Sequence, residues 1–274
     1  MKRILIVTNP ESSGIDDVLN SVKAILDRRG AEYLSLRYDA LDDLKKDEKD
    51  FALSSDFAIA IGGDGTILSA GRLLIEKEIP IFGINTGHLG YLASAESEET
   101  ELSVNKIFDG EYSVEERVTL LVTVADRSFY AINEAVFHRG EQPRLLKLNL
   151  FVNGQEADNI RGDGLLIATP TGSTAYNLSA GGPVMSPTAK SMAATPVCPH
   201  SLSARPIVLG ETDVATVTVS PTGSDARLAV DGVSKGIIPA NKTVEVKLSD
   251  KRLRIIRASE KSFYKTLMKK LSEK

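Results

Sequence analysis

Short apolar runs alternate with amphipathic stretches along the N-terminal part of the chain. Residues 4–7 (ILIV) are continuously apolar, as in a parallel strand covered on both faces. A loop at 9–14 follows. Residues 16–29 then carry Val18, Val22, Ile25 and Leu26 at helical spacing, and Gly30 ends that helix. Residues 33–37, 57–61 and 81–84 read as further strands, and 66–78 as a helix. Residues 42–50 are almost all charged and read as solvated surface. The alternation of strand and helix predicts a doubly wound parallel sheet, whose ligands bind beyond the carboxyl ends of the strands.

After a helical stretch at 98–108 the period changes. Residues 118–124, 128–132, 135–139, 145–152, 206–209, 214–220, 227–230, 243–248 and 252–257 are short, β-branched or alternating runs. Asn153-Gly154 and Asp231-Gly232 supply turn signals between them. The expectation is a doubly wound α/β domain over 1–96, followed by a β-rich, sandwich-like domain over 97–257. The tail, 260–274, places Phe263, Leu267 and Leu271 on one helical face beside five lysines. One apolar stripe suits a helix packing back on the first domain, and its basic face leaves a membrane-surface reading as the alternative.

Composition narrows the class. The chain has 274 residues, 42% hydrophobic and 26% charged, and a net charge of −4, an ordinary globular balance with no basic excess for nucleic acid. Its one cysteine, Cys198, excludes an intrachain disulfide and a cysteine-based zinc site. His88, His138 and His200 show no metal-ligand spacing. No apolar run approaches the length of about 18 residues that a membrane helix needs. The N-terminal apolar segment is too short for a secretion signal, so a cytoplasmic protein is expected.

Three glycine-rich loops carry the chemistry. Gly62-Gly63-Asp64-Gly65 follows the third strand and is neither a Walker A loop nor a dinucleotide fingerprint. Its amides suit a phosphate, with a carboxylate beside them; a tight turn with Asp64 as helix cap explains the same four residues. Asn85-Thr86-Gly87-His88-Leu89-Gly90-Tyr91 follows the fourth strand on the same rim. The third stretch, RGDGLLIATPTGSTAYNLSAGGP, runs over 161–183. Here Ser173 or Thr174 can cap a short helix reaching Ala180, and the stretch suits a polyol or nucleotide.

GGDGT, NTGHLGYL, Asn133-Glu134, the long glycine stretch and PHSLSARPIVL, in this order, resemble the NAD kinase family. The TPTGSTAYNLSAGGP run is the most particular; GGDG alone is shared with diacylglycerol and sphingosine kinases. The resemblance implies the same two domains with the site between them. It also implies phosphoryl transfer from ATP, or polyphosphate, to the 2′-hydroxyl of the adenosine ribose of NAD, with Mg²⁺ on the donor and a homodimer or homotetramer. Asp64 is then the general base. Gly62, Gly63 and His88 bind phosphate. Gly65, Tyr91, Asn133, Glu134, Arg161, Asp163, Thr171, Thr174, Ala175, Tyr176, Ser179, Cys198 and Asp231 line the substrate, Asp163 at the nicotinamide end. No dedicated metal cage is legible, which fits a cation held by phosphates. Ala204 and Val233 depart from the family's usual Asn and Gln. Two other readings remain at this point: a GGDG kinase for a lipid or sugar, and a non-catalytic NAD-binding regulator.

Overall fold

The computed structural model describes residues 1–12, 14–87, 90–140 and 144–272. It divides into two compact units, residues 1–116 with 253–274, and residues 117–252.

The first unit is α/β. In chain order its elements are β1 (Arg3–Thr8), α1 (Ile15–Arg28), β2 (Glu32–Arg37), α2 (Lys46–Ala52), β3 (Phe57–Ile61), α3 (Asp64–Leu74), β4 (Ile81–Asn85), β5 (Ala95–Glu96) and α4 (Thr100–Asp109). The strands pair in parallel in the order β4-β3-β1-β2, and Ile255 adds to the outer side of β4 opposite Ile81. Every residue of β3 and β4 is buried, as continuous apolar runs covered on both faces require. Ile4, Ile6, Ile59 and Phe82 pack against Val22 and Leu26 of α1 and Val104 and Ile107 of α4. Because α4 shares this core, the first unit runs to residue 116 and the boundary lies beyond the expected 96/97. The charged run at 42–50 is mostly exposed, and part of it forms α2, where Glu48 accepts a 2.9 Å bond from the Lys45 amide.

The second unit is an antiparallel sandwich. Its elements are β6 (Ser113–Val124), β7 (Arg127–Ala131), β8 (Glu134–His138), β9 (Leu146–Val152), β10 (Gln155–Gly162), β11 (Gly164–Ala168), α5 (Tyr176–Ser179), β12 (Met192–Val197), β13 (Ile207–Leu209), β14 (Val214–Val219), β15 (Ala226–Val230), β16 (Val233–Ile238) and β17 (Thr243–Arg257). One sheet is six-stranded in the order β13-β12-β11-β8-β15-β16. The other runs β10-β9-β14-β17, with the β6–β7 hairpin on β17. Phe137, Leu165 and Ile167 from the first layer meet Leu148, Leu150, Val217 and Val244 from the second. Asn153 and Gly154 have φ of 52° and 79°, and Asp231 and Gly232 have 46° and 77°, the paired positive values of tight hairpin turns. The central strand β11 is buried on both faces: Leu166 and Ala168 lie outside the sandwich core, in a small cluster that Ala180 covers. The glycine-rich stretch therefore lies on the outer face of this sheet. The chain ends in α6 (Phe263–Ser272), which belongs to the first unit and buries none of its residues.

Candidate active site

In the first unit the sheet order reverses between β1 and β3, so the loops leaving their carboxyl ends diverge and open a crevice. Gly62 follows β3 with φ of 150°, and its amide donates 2.9 Å to the Ile84 carbonyl. A side chain there would meet Thr66 Oγ1 at 2.3 Å and Asn9 Cβ at 3.1 Å, so only glycine lets the chain turn this closely. Helix α3 begins at Asp64, and the first-turn amides of an α-helix have no partner within it. Gly63 and Gly65 flank Asp64 at this start and leave it open: a Cβ at either would meet nothing within 4 Å.

Asp64 does not cap the helix. Its Oδ2 accepts the Tyr91 amide at 2.8 Å and its Oδ1 the Leu92 amide at 3.0 Å, which fixes a half-buried carboxylate beside the glycine turn. Gly90 makes room for it: a Cβ there would lie 2.3 Å from Asp64 Oδ1. Burial first, then the Asp64 charge, raises the Tyr91 phenol above its ordinary value. Asn85 ties the same loop down by donating to Gly87 O at 2.9 Å and Glu96 Oε2 at 2.6 Å. His88 lies outside the described residues.

In the second unit the Asn133-Glu134 corner is held from two sides. The Asp231 carboxylate accepts the amides of Ile132, Asn133 and Glu134 at 2.8, 2.7 and 3.2 Å, and the Asp231 amide donates 3.0 Å to Glu134 O. Asp231 thus buttresses the corner through these backbone amides. From the other side, the Thr169 amide donates to Asn133 O at 2.8 Å and its hydroxyl to Ile132 O at 2.6 Å. Gly172 packs on the corner so closely that a Cβ would lie 2.2 Å from Asn133 O. Gly172→Ala is therefore expected to cost about 1–3 kcal/mol of stability and to displace Asn133, because the clash is with backbone. A denaturation midpoint equal to wild type would contradict this packing.

Glu134 is 7% exposed, and its Oε2 has no hydrogen-bond partner among the described residues. Burial, and secondarily the Asp231 charge, raise its pKa to about 7. Thr171 Oγ1, one residue before Gly172, is also buried without a partner. A ligand with hydroxyl or amino groups would supply what both oxygens lack.

Asp163 meets a residue that sequence reasoning missed. Arg139 Nε donates 2.7 Å to Asp163 Oδ1, and the Arg139 amide donates 3.1 Å to Asp163 O. Arg139 gave no signal in a stretch read only as strand; antiparallel pairing of β8 with β11 brings it there. The Asp163 amide bonds Val197 O at 3.0 Å, which sets Asp163 opposite exposed Cys198, itself at φ 44°. Tyr176 is 43% exposed. Its phenol is raised by burial and then by the charges of Cys198, Asp163 and Glu134, so these groups share one neighbourhood. Arg161 takes no part through its side chain among the described residues, but its carbonyl accepts the His200 amide at 2.7 Å.

The expected capping of the short helix is not what forms. Ser173 Oγ donates to Pro170 O at 2.6 Å and accepts the Met185 amide at 3.1 Å, and Thr174 Oγ1 reaches back to Thr171 O at 3.3 Å. Residues 172–174 make a 3₁₀ turn, Ala175 precedes α5, and α5 is four residues long, closing at Ser179. Asn177, also missed, is wholly buried: it accepts the Thr195 hydroxyl at 2.7 Å and donates to Pro183 O at 2.9 Å. The hydroxyls and amide of this stretch mainly fold the stretch on itself, and present Thr171, Ala175 and Tyr176 as partly exposed.

Residues 31–112 match the family model of the ATP-NAD kinase N-terminal domain, and residues 132–258 that of the ATP-NAD kinase C-terminal domain. The NAD kinase of Thermoanaerobacter pseudethanolicus is 36% identical over 283 aligned residues, which cover all of both chains. That of Bacteroides fragilis is 38% identical over 229 residues, 82% of this chain and 78% of the relative. Among solved structures, yeast NADH kinase complexed with NADH superposes with a TM-score of 0.84 at 22% identity, covering 99% of this chain and 88% of the other. An NAD kinase from Archaeoglobus fulgidus in complex with ATP gives 0.80 at 25% identity, covering 98% of each.

Proposed function

Because the chain belongs to the NAD kinase family and is an enzyme that phosphorylates NAD, we propose how its own residues carry out the transfer from ATP to the adenosine ribose 2′-hydroxyl. The observation that carries this reading is the Asp64 carboxylate. It is aimed by two amides, beside a glycine turn, at the carboxyl end of β3. Asp64 accepts the proton of the ribose hydroxyl as its oxygen attacks the γ-phosphorus of ATP, and the bond from that phosphorus to the β–γ bridging oxygen breaks to release ADP. Transfer of this kind leaves the protein little covalent chemistry to do, so aligning the hydroxyl with the donor is the larger contribution. The amides of residues 63–65 hold donor phosphate; that of Gly62, expected to join them, is spent on the Ile84 carbonyl and shapes the turn instead.

In the second unit, Asn133 and Glu134 contact NAD, the unpartnered Oε2 of Glu134 accepting from a hydroxyl or amino group. Asp163, steadied by Arg139, binds the nicotinamide end. Thr171, Thr174, Ala175, Tyr176, Ser179 and Cys198 line the dinucleotide, and Tyr176 offers a face for stacking. Asp231 acts through the corner that it buttresses. The departures are local: Val233 opens β16 opposite Val230, and the Ala204 amide closes a turn to Ser201 O.

The donor set fits a divalent cation carried on ATP. Among the described residues no group of three or more His, Cys, Asp or Glu converges, and Asp64 is a lone carboxylate beside phosphate-binding amides. Mg²⁺ needs only one or two carboxylates when phosphates supply the rest. When bound, it neutralises phosphate charge.

None of the described helices is long and apolar enough to cross a membrane. A cytoplasmic homodimer or homotetramer is the working assembly; a monomer by light scattering at micromolar concentration would contradict the assembly. Neither a lipid or sugar acceptor nor a binding-only role is favoured over NAD phosphorylation.

Gly90→Ala tests the aim of Asp64 without removing it. The added methyl would need the space of Oδ1, so kcat should fall by about 10²-fold for a displacement near 1 Å, with the unfolding midpoint little changed. Steady-state NADP formation beside thermal unfolding measures both; unchanged kcat would contradict the role given to this contact. NADP formation compared between wild type and Asp64→Asn tests the function itself.

A further inference from the structure

The C-terminal helix makes few contacts, and they converge on the loop that aims Asp64. No residue of α6 is buried, and Tyr264, Met268 and Leu271 are 62%, 65% and 44% exposed. Its Phe263 ring nevertheless lies 5.8 Å from the Tyr91 ring, and Lys270 Nζ sits 4.2 Å above that same ring. Tyr91 is thereby gripped by an aromatic contact and a cation–π contact. The amide of Tyr91 is the donor to Asp64 Oδ2, and the next amide, Leu92, is the donor to Oδ1.

A second tie reaches the other end of the loop. Lys261, just before α6, pairs with Glu96 Oε1 at 3.0 Å, and Glu96 Oε2 accepts from Asn85 at 2.6 Å. Asn85 in turn holds Gly87 O at 2.9 Å. Asn85 and Tyr91, near the two ends of this loop, are thus both tied to the C-terminal segment, Asn85 through Glu96 to Lys261 and Tyr91 directly to Phe263 and Lys270. Lys270 makes no ion pair among the described residues, so the ring is its partner there.

We propose that Phe263 and Lys270 are positioning residues for phosphoryl transfer: by gripping the Tyr91 ring they fix the two amides that aim the Asp64 carboxylate. The proposal rests on Asp64 being the base. Small misplacement of a reacting group is costly in rate, whereas the exposed contacts of α6 add little to global stability. The helix is therefore a part of the catalytic apparatus that touches no substrate.

The test uses the full chain with NAD, ATP and Mg²⁺, and compares Lys270→Ala, Phe263→Ala/Lys270→Ala, Lys270→Arg, Tyr91→Ala and Asp64→Asn, with Lys269→Ala as control. Lys269 is exposed on the same helix and takes no part in the grip. The double variant should lose about 10- to 100-fold in kcat, with KM for NAD and for ATP changed less than about twofold and the unfolding midpoint unmoved. Lys270→Arg, which keeps the cation over the ring, should recover most of the loss, and Lys269→Ala should match wild type. Adding Tyr91→Ala to the double variant should cost little more in kcat, because all three changes release the same amides; any rise in KM would come from Tyr91 itself, one of the residues expected to line the substrate.

Wild-type kcat in the double variant, with Asp64→Asn impaired, would overturn the proposal and leave the base assignment intact. A loss confined to KM would overturn it too, by showing that Lys270 meets substrate directly. Full activity in Asp64→Asn would overturn the base assignment and the proposal together.

Discussion

Replacing Asp64 by Asn is expected to lower kcat for NADP formation by about 10²–10⁴, the range typical of a lost general base. Asn keeps the size of the side chain, and its carbonyl oxygen can still accept one of the two amides, from Tyr91 or Leu92, that now hold the carboxylate. The variant should therefore fold and keep the glycine turn at Gly62, whose amide is held by the Ile84 carbonyl rather than by Asp64. What it loses is the second acceptor oxygen and the ability to take a proton. NAD affinity should change little, since all but Gly65 and Tyr91 of the residues assigned to the substrate belong to the second unit. Asp64→Glu should also be impaired: its longer side chain carries the carboxylate past the space that Gly90 leaves for it.

The second large effect is on stability against pH, and it comes from Glu134. This carboxyl has a pKa of about 7 in the folded chain, against 4.5 for the free group, because it is buried beside Asp231. Between these values the native state binds more protons than the unfolded one, so stability falls as pH rises. The contribution is fully present below about pH 4.5 and lost as pH passes through 7. The gap corresponds to about 3 kcal/mol, at roughly 1.4 kcal/mol for each pKa unit. Glu134→Gln removes the charge without changing shape. Its stability relative to wild type should rise across this window, reaching about 3 kcal/mol above pH 7. Urea midpoints of the two proteins from pH 4.5 to 8 measure the difference. Parallel curves would contradict a buried carboxyl whose Oε2 lacks a partner among the described residues. The same variant should bind NAD less well, since an amide oxygen is a weaker acceptor than a carboxylate.

The elements most legible in the sequence are those whose pattern is local. β3 and β4 are five-residue apolar runs, and both prove buried throughout. Asn153-Gly154 and Asp231-Gly232 take the positive φ that their residue types favour, so both hairpins follow from dipeptides. Elements set by pairing were harder to read. β12 (MAATPV) is wholly buried, but alanine, threonine and proline give it no apolar signature. β10 is a polar edge strand with four of its first five residues exposed, and its periodicity is correspondingly weak. The runs at 243–248 and 252–257 join as the single strand β17 because Ser249, Asp250 and Lys251 continue the extended backbone between them.

The site divides in the same way. Asp64 and its glycines announced themselves as a turn after a strand. The two amides that aim the carboxylate did not, since they come from a loop 27 and 28 residues away. Asp231 read as a substrate contact, but a hairpin places it as acceptor for three backbone amides. Arg139 and Asn177 were silent because their partners, Asp163 and Thr195, reach them only across strands or loops. Ser173 looked like a cap, yet its hydroxyl is used within the stretch by Pro170 and Met185. Spacing revealed which residue types were available, and tertiary pairing decided which of them are spent on holding the backbone.

The most direct test of the central claim is to measure kcat for NADP formation and the dissociation constant for NAD on the same preparations of wild type and Asp64→Asn, with ATP and Mg²⁺. The account predicts turnover by wild type, a fall of at least about 10²-fold in the variant, and NAD affinity within a few-fold of wild type. Equal kcat in the two proteins would remove Asp64 from the chemistry and contradict the mechanism built on it.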